Sequence, residues 1–297
     1  MSVLEKIISR FYPPKNLAFH LQRQVMRPST RKKLAKLATN MLPALPKEIS
    51  TGYTDEVNNL EQHGYVMLSD LVQQNQIEDI LGHLSDKNVY DRWKPKAGHF
   101  NADVPPNDCH TALYDDIDVL NCPHALSWAN DPRVLSIVGQ ALGAKPTLSS
   151  LAIWWSYPGH DTPQQAENFH RDVDDLHFIK LFIYLTDVDE NCGPHNFVPG
   201  SQRHDGFRKI RRYEDHEVIS TFGSEGIKIF TGAKGTSFLE NTFGLHKGQL
   251  PSKNRRLLFQ AQYSLHPIGI YTYNPLPRTR NDNLKPDQYI NRLFIKS

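Results

Sequence analysis

After residue 145 the chain alternates strand-like runs with tight turns, and no long helical pattern lies between them. The runs fall at 147–157, 178–186, 195–198, 227–230, 236–239 and 256–264. Pro158-Gly159, Asn191-Cys192-Gly193, Pro199-Gly200 and Pro251-Ser252 separate them. These residues turn a chain because Gly reaches left-handed backbone and Pro presets φ. Strands without crossover helices cannot build a parallel α/β sheet, so the pattern predicts a β sandwich or jelly roll.

The region before it reads differently. Thr54 is placed to cap a helix that Gly64 ends, and Tyr65-Val66-Met67-Leu68 follows as a strand. A short helix is predicted over 74–84, and Asp131-Pro132 starts another that Gly143 stops. Residues 86–122 show no period and read as one long loop, while 265–297 read as an irregular tail packed on the body. The expected fold class is mainly β with packed helices around a jelly-roll core. One domain is expected over 51–297, its core at about 145–265.

Charge sets residues 1–50 apart. They hold ten Lys/Arg against Glu5 and Glu48, a net of +8, while residues 51–297 carry 24 basic and 30 acidic residues, a net of −6. The segment is expected to be a basic helical extension broken by its prolines. Leu34, Leu37, Ala38 and Met41 recur at helical spacing and are expected to cover one sheet face, with Lys and Arg in water. Recruitment to a membrane surface or an acidic carrier is the alternative, and nucleic acid is not an expected partner. The longest apolar run, 178–185, includes Lys180 and is too short to span a bilayer. Cys109, Cys122 and Cys192 have no CxxC spacing, which argues against a disulfide framework and predicts a reducing, cytoplasmic setting.

The chemistry concentrates in Asn168-Phe169-His170-Arg171-Asp172. In an extended segment His170 and Asp172 point to the same side, offering an imidazole and a carboxylate to one metal ion. Two His and one carboxylate on one face suit Fe(II) and leave positions open for further ligands. A third ligand must come from a distant strand, and His246 follows the 236–240 strand candidate, 74 residues beyond Asp172. Arg256 opens the next apolar run, and a guanidinium there can grip a carboxylate through two hydrogen bonds. No phosphate-binding glycine loop or G-x-S-x-G elbow occurs.

Together with His63-Gly64-Tyr65-Val66-Met67-Leu68, the 185–189 turn, Gly193-Pro194 and Val198-Pro199-Gly200-Ser201, these motifs resemble the phytanoyl-CoA dioxygenase family of Fe(II)/2-oxoglutarate-dependent oxygenases over about 52–265. The resemblance implies a double-stranded β-helix, Fe(II) on His170, Asp172 and His246, O2 as one co-substrate, and 2-oxoglutarate anchored by Arg256 in preference to the adjacent Arg255, since only one of the two can face inward. It also implies that Lys180 and Phe182 face into the barrel beside the co-substrate, with Lys180 either contacting a carboxylate or reaching to the rim. Relatives often place a hydroxyl two residues after the distal His, but here that position is Gly248. Asp172 is retained, which argues against halogenation.

On their strands, one of Trp154 and Trp155 must face inward. His177 and His195 are expected beside the site and not as fourth ligands. The expected activity is hydroxylation of an unactivated C–H bond in a small organic metabolite, with release of succinate and CO2. The alternatives are a non-catalytic metal-binding jelly roll and a cupin-like metalloenzyme of another reaction class.

Overall fold

The computed structural model describes residues 14–278 and 284–296. Two helices, α1 (Pro14–Arg23) and α2 (Pro28–Thr39), precede α3 (Thr54–His63), β1 (Tyr65–Leu68) and α4 (Gln74–Leu84). Then come β2 (Asn88–Tyr90), β3 (His99–Asn101), β4 (Thr111–Tyr114), α5 (Asp116–Asn121), α6 (Ala125–Ala129) and α7 (Pro132–Leu142). Asp131 caps α7 by accepting from the amides of Arg133 and Val134, and Gly143 ends it in left-handed backbone, as its sequence predicts.

The barrel strands are β5 (Thr147–Ser156), β6 (Phe178–Tyr184), β7 (His195–Phe197), β8 (Lys228–Phe230), β9 (Ser237–Glu240), β10 (His246–Gly248) and β11 (Arg256–Ser264). Helix α8 (Asp215–Phe222) interrupts them and α9 (Gln288–Asn291) lies in the tail. Eight strands form one antiparallel sheet in the order β1-β9-β6-β11-β5-β4-β2-β3, and β10-β7-β8 form a second. This is the jelly roll the turn pattern predicts.

Strand β6 is apolar at every position but Lys180, and its packing explains why it does not alternate. Ile179, Leu181 and Ile183 join the large core under the helices, while Phe182 and Tyr184 pack with Phe197, Phe230 and Phe238 between the sheets. A strand covered on both faces has no polar side.

Three expectations need correction. Residues 86–122 are not one loop: β2, β3 and β4 extend the large sheet, and α5 follows. Each strand is only three or four residues long, too short to display a period. Thr54 is not the cap of α3; Tyr53 occupies that position at φ 56 without a side-chain cap bond. Finally, Leu37 and Met41 are 63% and 89% exposed and do not cover a sheet. Helix α2 packs instead through buried Arg31 and Ala35, with Ala38 against the large core. Helical spacing alone could not favour Arg31, because its burial depends on partners from distant loops. The tail is largely irregular, but residue 276 bridges residue 295 and α9 ties it to the body through Asn291 and Asn130.

Candidate active site

The two ligand-bearing segments are hydrogen-bonded to each other. His170 N donates to His246 O at 2.9 Å, His246 N to His170 O at 3.0 Å, and Asp172 N to Thr242 O at 2.9 Å. Main-chain pairing is therefore what closes the gap between sequence-distant residues. One ligand atom from each of His170, Asp172 and His246 can be chosen so that all three lie within 4.8 Å of one another, the spacing of a common metal ion. His170 Nδ1 lies 2.9 Å from Asn168 O and His246 Nδ1 lies 3.0 Å from Gly244 O. A carbonyl can only accept, so both Nδ1 atoms carry a proton and Nε2 is the atom each ring would offer a cation.

Electrostatics favour the metal-ready state in part. Burial pushes the His170 imidazole down to about 4, so it stays neutral. Asp172 lies well below the carboxylate range. Burial opposes this, but Lys180, His246 and His170 outweigh it together. His246 is raised despite burial because Asp172 beside it favours the imidazolium, so metal binding must expel that proton.

Lys180 is buried and faces inward, not out to the rim. Its Nζ reaches Asp172 Oδ2 at 2.6 Å and Asp174 Oδ2 at 3.8 Å. It thus sits on the metal-ligand carboxylate. Phe182, two residues on, is buried beside His195 and Phe238, with ring centroids 5.0 and 5.3 Å away. His195 stacks on His246 at 5.5 Å and bonds Glu240 at 3.1 Å. Burial holds His195 well below the usual imidazole range and lifts Glu240 to about 8, so the pair is neutral at pH 7. His177 lies outside the metal-ligand group.

Of the adjacent arginines, Arg256 turns inward and Arg255 outward. Arg255 pairs with Asp103 at 2.6 Å and covers the Trp155 ring at 4.1 Å. Arg256 is 3% exposed, and its Nε and Nη1 have no hydrogen-bond partner among the described residues. A buried guanidinium with orphaned donors is costly unless an anion completes it. Gly248 matters here: a Cβ on it would stand 3.1 Å from Arg256 Nη2. Arg256 therefore sits one same-face strand step beyond His246, about 7 Å along β10, the span of a short dicarboxylate. Residue 248 has no hydroxyl, but Ser156 pairs with Arg256 across β5 and β11 and its Oγ is 3.3 Å from Nη2. Sequence reading missed Ser156 because only the strand register reveals it. Trp154 faces the same side as Leu258, while Trp155 joins the helix-covered core.

Two further residues escaped the sequence reading. Arg171, between the ligands, turns away and donates to the carbonyls of Ser201, His204, Gly206, Phe207 and Phe243, fixing the loop beside the site. Arg31, from the basic extension, donates to Asp175 O and lies over the Phe243 ring at 4.6 Å, the ring that Arg171 also contacts at 5.0 Å. The extension thus grips both ligand loops.

The site residues fit the implied groups: three convergent donors suit Fe(II), and an orphaned buried guanidinium suits the far carboxylate of 2-oxoglutarate. No curated protein matches the sequence. Among solved structures, the chain is similar to the non-heme alpha-ketoglutarate-dependent carbocyclase SnoK from nogalamycin biosynthesis (16% identity, TM-score 0.53, covering 74% of this chain and 87% of that one). It is also similar to HygX from Streptomyces hygroscopicus with nickel, 2-oxoglutarate and hygromycin B (15%, 0.52, 79% and 95%). A third is EctD from S. alaskensis with 2-oxoglutarate and 5-hydroxyectoine (16%, 0.50, 86% and 92%). At these identities the likeness establishes the fold. The phytanoyl-CoA dioxygenase family model matches residues 60–241, more than half of the chain, and the protein belongs to that family.

Proposed function

We propose that the protein is an Fe(II)/2-oxoglutarate-dependent oxygenase that hydroxylates an unactivated C–H bond of a small organic metabolite, releasing succinate and CO2. The observation that carries this is the pairing of a His-Asp-His group with buried Arg256, whose Nε and Nη1 have no partner among the described residues, one strand step away. Bound iron with its co-substrate would supply the oxidising chemistry. His170, Asp172 and His246 would hold the metal on one face. Arg256, with Ser156, would orient 2-oxoglutarate by its far carboxylate, and Phe182 would wall the co-substrate. Lys180, bonded to Asp172 Oδ2, would fix the orientation of that carboxylate and bring a positive charge to the co-substrate side of the site. Trp154 and the apolar faces of β6 and β9 would exclude water.

Succinate release in the presence of Fe(II), 2-oxoglutarate and ascorbate tests the reading. Asp172→Ala should abolish release while the circular dichroism spectrum stays native. Release that persists in this variant would refute the ligand assignment. The absence of 2-oxoglutarate turnover in metal-loaded wild type across a metabolite panel would favour a non-catalytic barrel.

The domain limits and setting belong to the same proposal: an oxygenase domain over 51–297 with its core at 145–265, in a reducing cytoplasm that suits three free buried cysteines. Among the described residues no helix is long and apolar enough to cross a membrane. Exposed Leu34, Leu37 and Met41 beside Lys33 and Lys36 would instead touch an anionic bilayer surface. Co-sedimentation with phosphatidylserine vesicles at low salt, lost at high salt, is the expected result.

A further inference from the structure

The basic extension reaches the metal site. Gln22 Nε2, on α1, donates to Val173 O at 2.7 Å, one residue beyond Asp172. Arg31 donates to the carbonyls of Val25 and Gln22 at 3.1 and 3.4 Å, to Gln22 Oε1 at 3.1 Å, and to Asp175 O. Met26, between the helices, packs with Val173, Phe178 and Phe243. Arg27 reaches Asp205 at 4.0 Å, joining this corner to the loop that Arg171 organises. Arg23, next to Gln22, is therefore held at a defined place beside the H-x-D segment.

A second arginine arrives from the opposite side. Tyr213 pairs with Phe169 in an antiparallel bridge, its N–H donating to Phe169 O at 2.8 Å. In that register the neighbour of Tyr213, Arg212, lies across from His170. Arg212 is in electrostatic range of Asp172 and of Arg23, and Arg23 is in range of Asp174. Among the described residues neither guanidinium has a carboxylate at ion-pair distance or donates a hydrogen bond.

Neither guanidinium has a carboxylate partner among these residues, Arg23 lying over the Phe19 ring at 5.2 Å and Arg212 being exposed, and the site around them does not cancel their charge. With a divalent metal and 2-oxoglutarate in place, the metal, Lys180, Arg256, Arg23 and Arg212 supply six positive charges. Asp172, Asp174 and the co-substrate dianion supply four negative ones, so the excess is about two. Planar, always-charged guanidinium groups pair best with carboxylate or phosphate. We infer that Arg23 and Arg212 form a recognition site for an anionic group, a carboxylate or a phosphate ester, on the substrate of this oxygenase. The basic extension is then part of substrate recognition. The inference rests on the oxygenase reading for what lies between the arginines and the metal.

The test uses the full chain loaded with Co(II), which does not turn over, and saturating 2-oxoglutarate. Phenyl phosphate, benzoate and phenol are titrated calorimetrically at low ionic strength. At least one of the two anions should bind and phenol should not, and comparison of the anions tells phosphate from carboxylate. Arg23→Gln and Arg212→Gln should each weaken binding at least fivefold, while Arg133→Gln on α7 leaves it unchanged. Equal affinity in all variants, or no anion binding by the loaded wild type, overturns the inference and leaves the oxygenase reading intact. Loss of 2-oxoglutarate binding in both variants would assign the pair to the co-substrate and also overturn it. If the wild type takes up neither Co(II) nor 2-oxoglutarate, the oxygenase reading fails and the inference falls with it.

Discussion

Replacing Arg31 with Met should loosen the metal site from a position 29 residues before the region that matches the family. The side chain is 3% exposed, and its guanidinium is pushed down to about 10, mainly by burial. Met keeps most of the stem volume but removes every donor. The loss includes charge-assisted bonds to buried carbonyls, at about 1.5–3 kcal/mol each, and a cation–π contact of about 1–2 kcal/mol. Relief of guanidinium desolvation offsets much of this. A net destabilisation of about 2–4 kcal/mol follows, or about 4–8 °C in Tm for a chain of this size. Because Arg31 bonds Asp175 O and covers Phe243, Co(II) affinity should also fall, by roughly tenfold, as when other supports of metal ligands are removed. Thermal melts and a Co(II) titration followed by visible absorption measure the two effects separately. A lower Tm with unchanged Co(II) affinity would refute the claim that α2 positions the ligand loops. An unchanged Tm would refute the buried clamp itself.

Arg256→Leu should raise the 2-oxoglutarate concentration needed for half-saturation by about 100-fold, and Ser156→Ala by only a few-fold; equal effects would contradict the assigned geometry. Glu240, raised to about 8 from 4.5, binds a proton in the folded but not the unfolded chain between those values. Stability should therefore fall as pH rises from about 5 to 8, by on the order of 1 kcal/mol per pH unit at most, and Glu240→Gln should flatten that slope in urea titrations. His246 is raised above 6.5 and must lose its proton to a metal, so Co(II) affinity should drop as pH is lowered through neutrality. An affinity constant from pH 8 to 6 would refute that coupling.

The local chemistry of the chain was enough to place most elements. Turn residues bounded the strands, Asp131-Pro132 and Gly143 bounded α7, and the 74–84 helix was readable from its pattern, because each depends on backbone preferences within a few residues. The metal ligands were readable for a related reason: H-x-D in an extended segment puts two donors on one side whatever surrounds it. Short β2, β3 and β4 were not readable, since three residues show no period and only the growing sheet edge makes them strands. Tertiary structure alone decided what depends on distant partners. It set which of Arg255 and Arg256 turned inward and which hydroxyl stood beside Arg256. It also set that Lys180 met Asp172, and that a basic helix buried Arg31 and left Leu37 in water. Arg31 is buried because the carbonyls of Gln22, Val25 and Asp175 receive its donors, and no spacing within residues 28–39 records where those carbonyls will be.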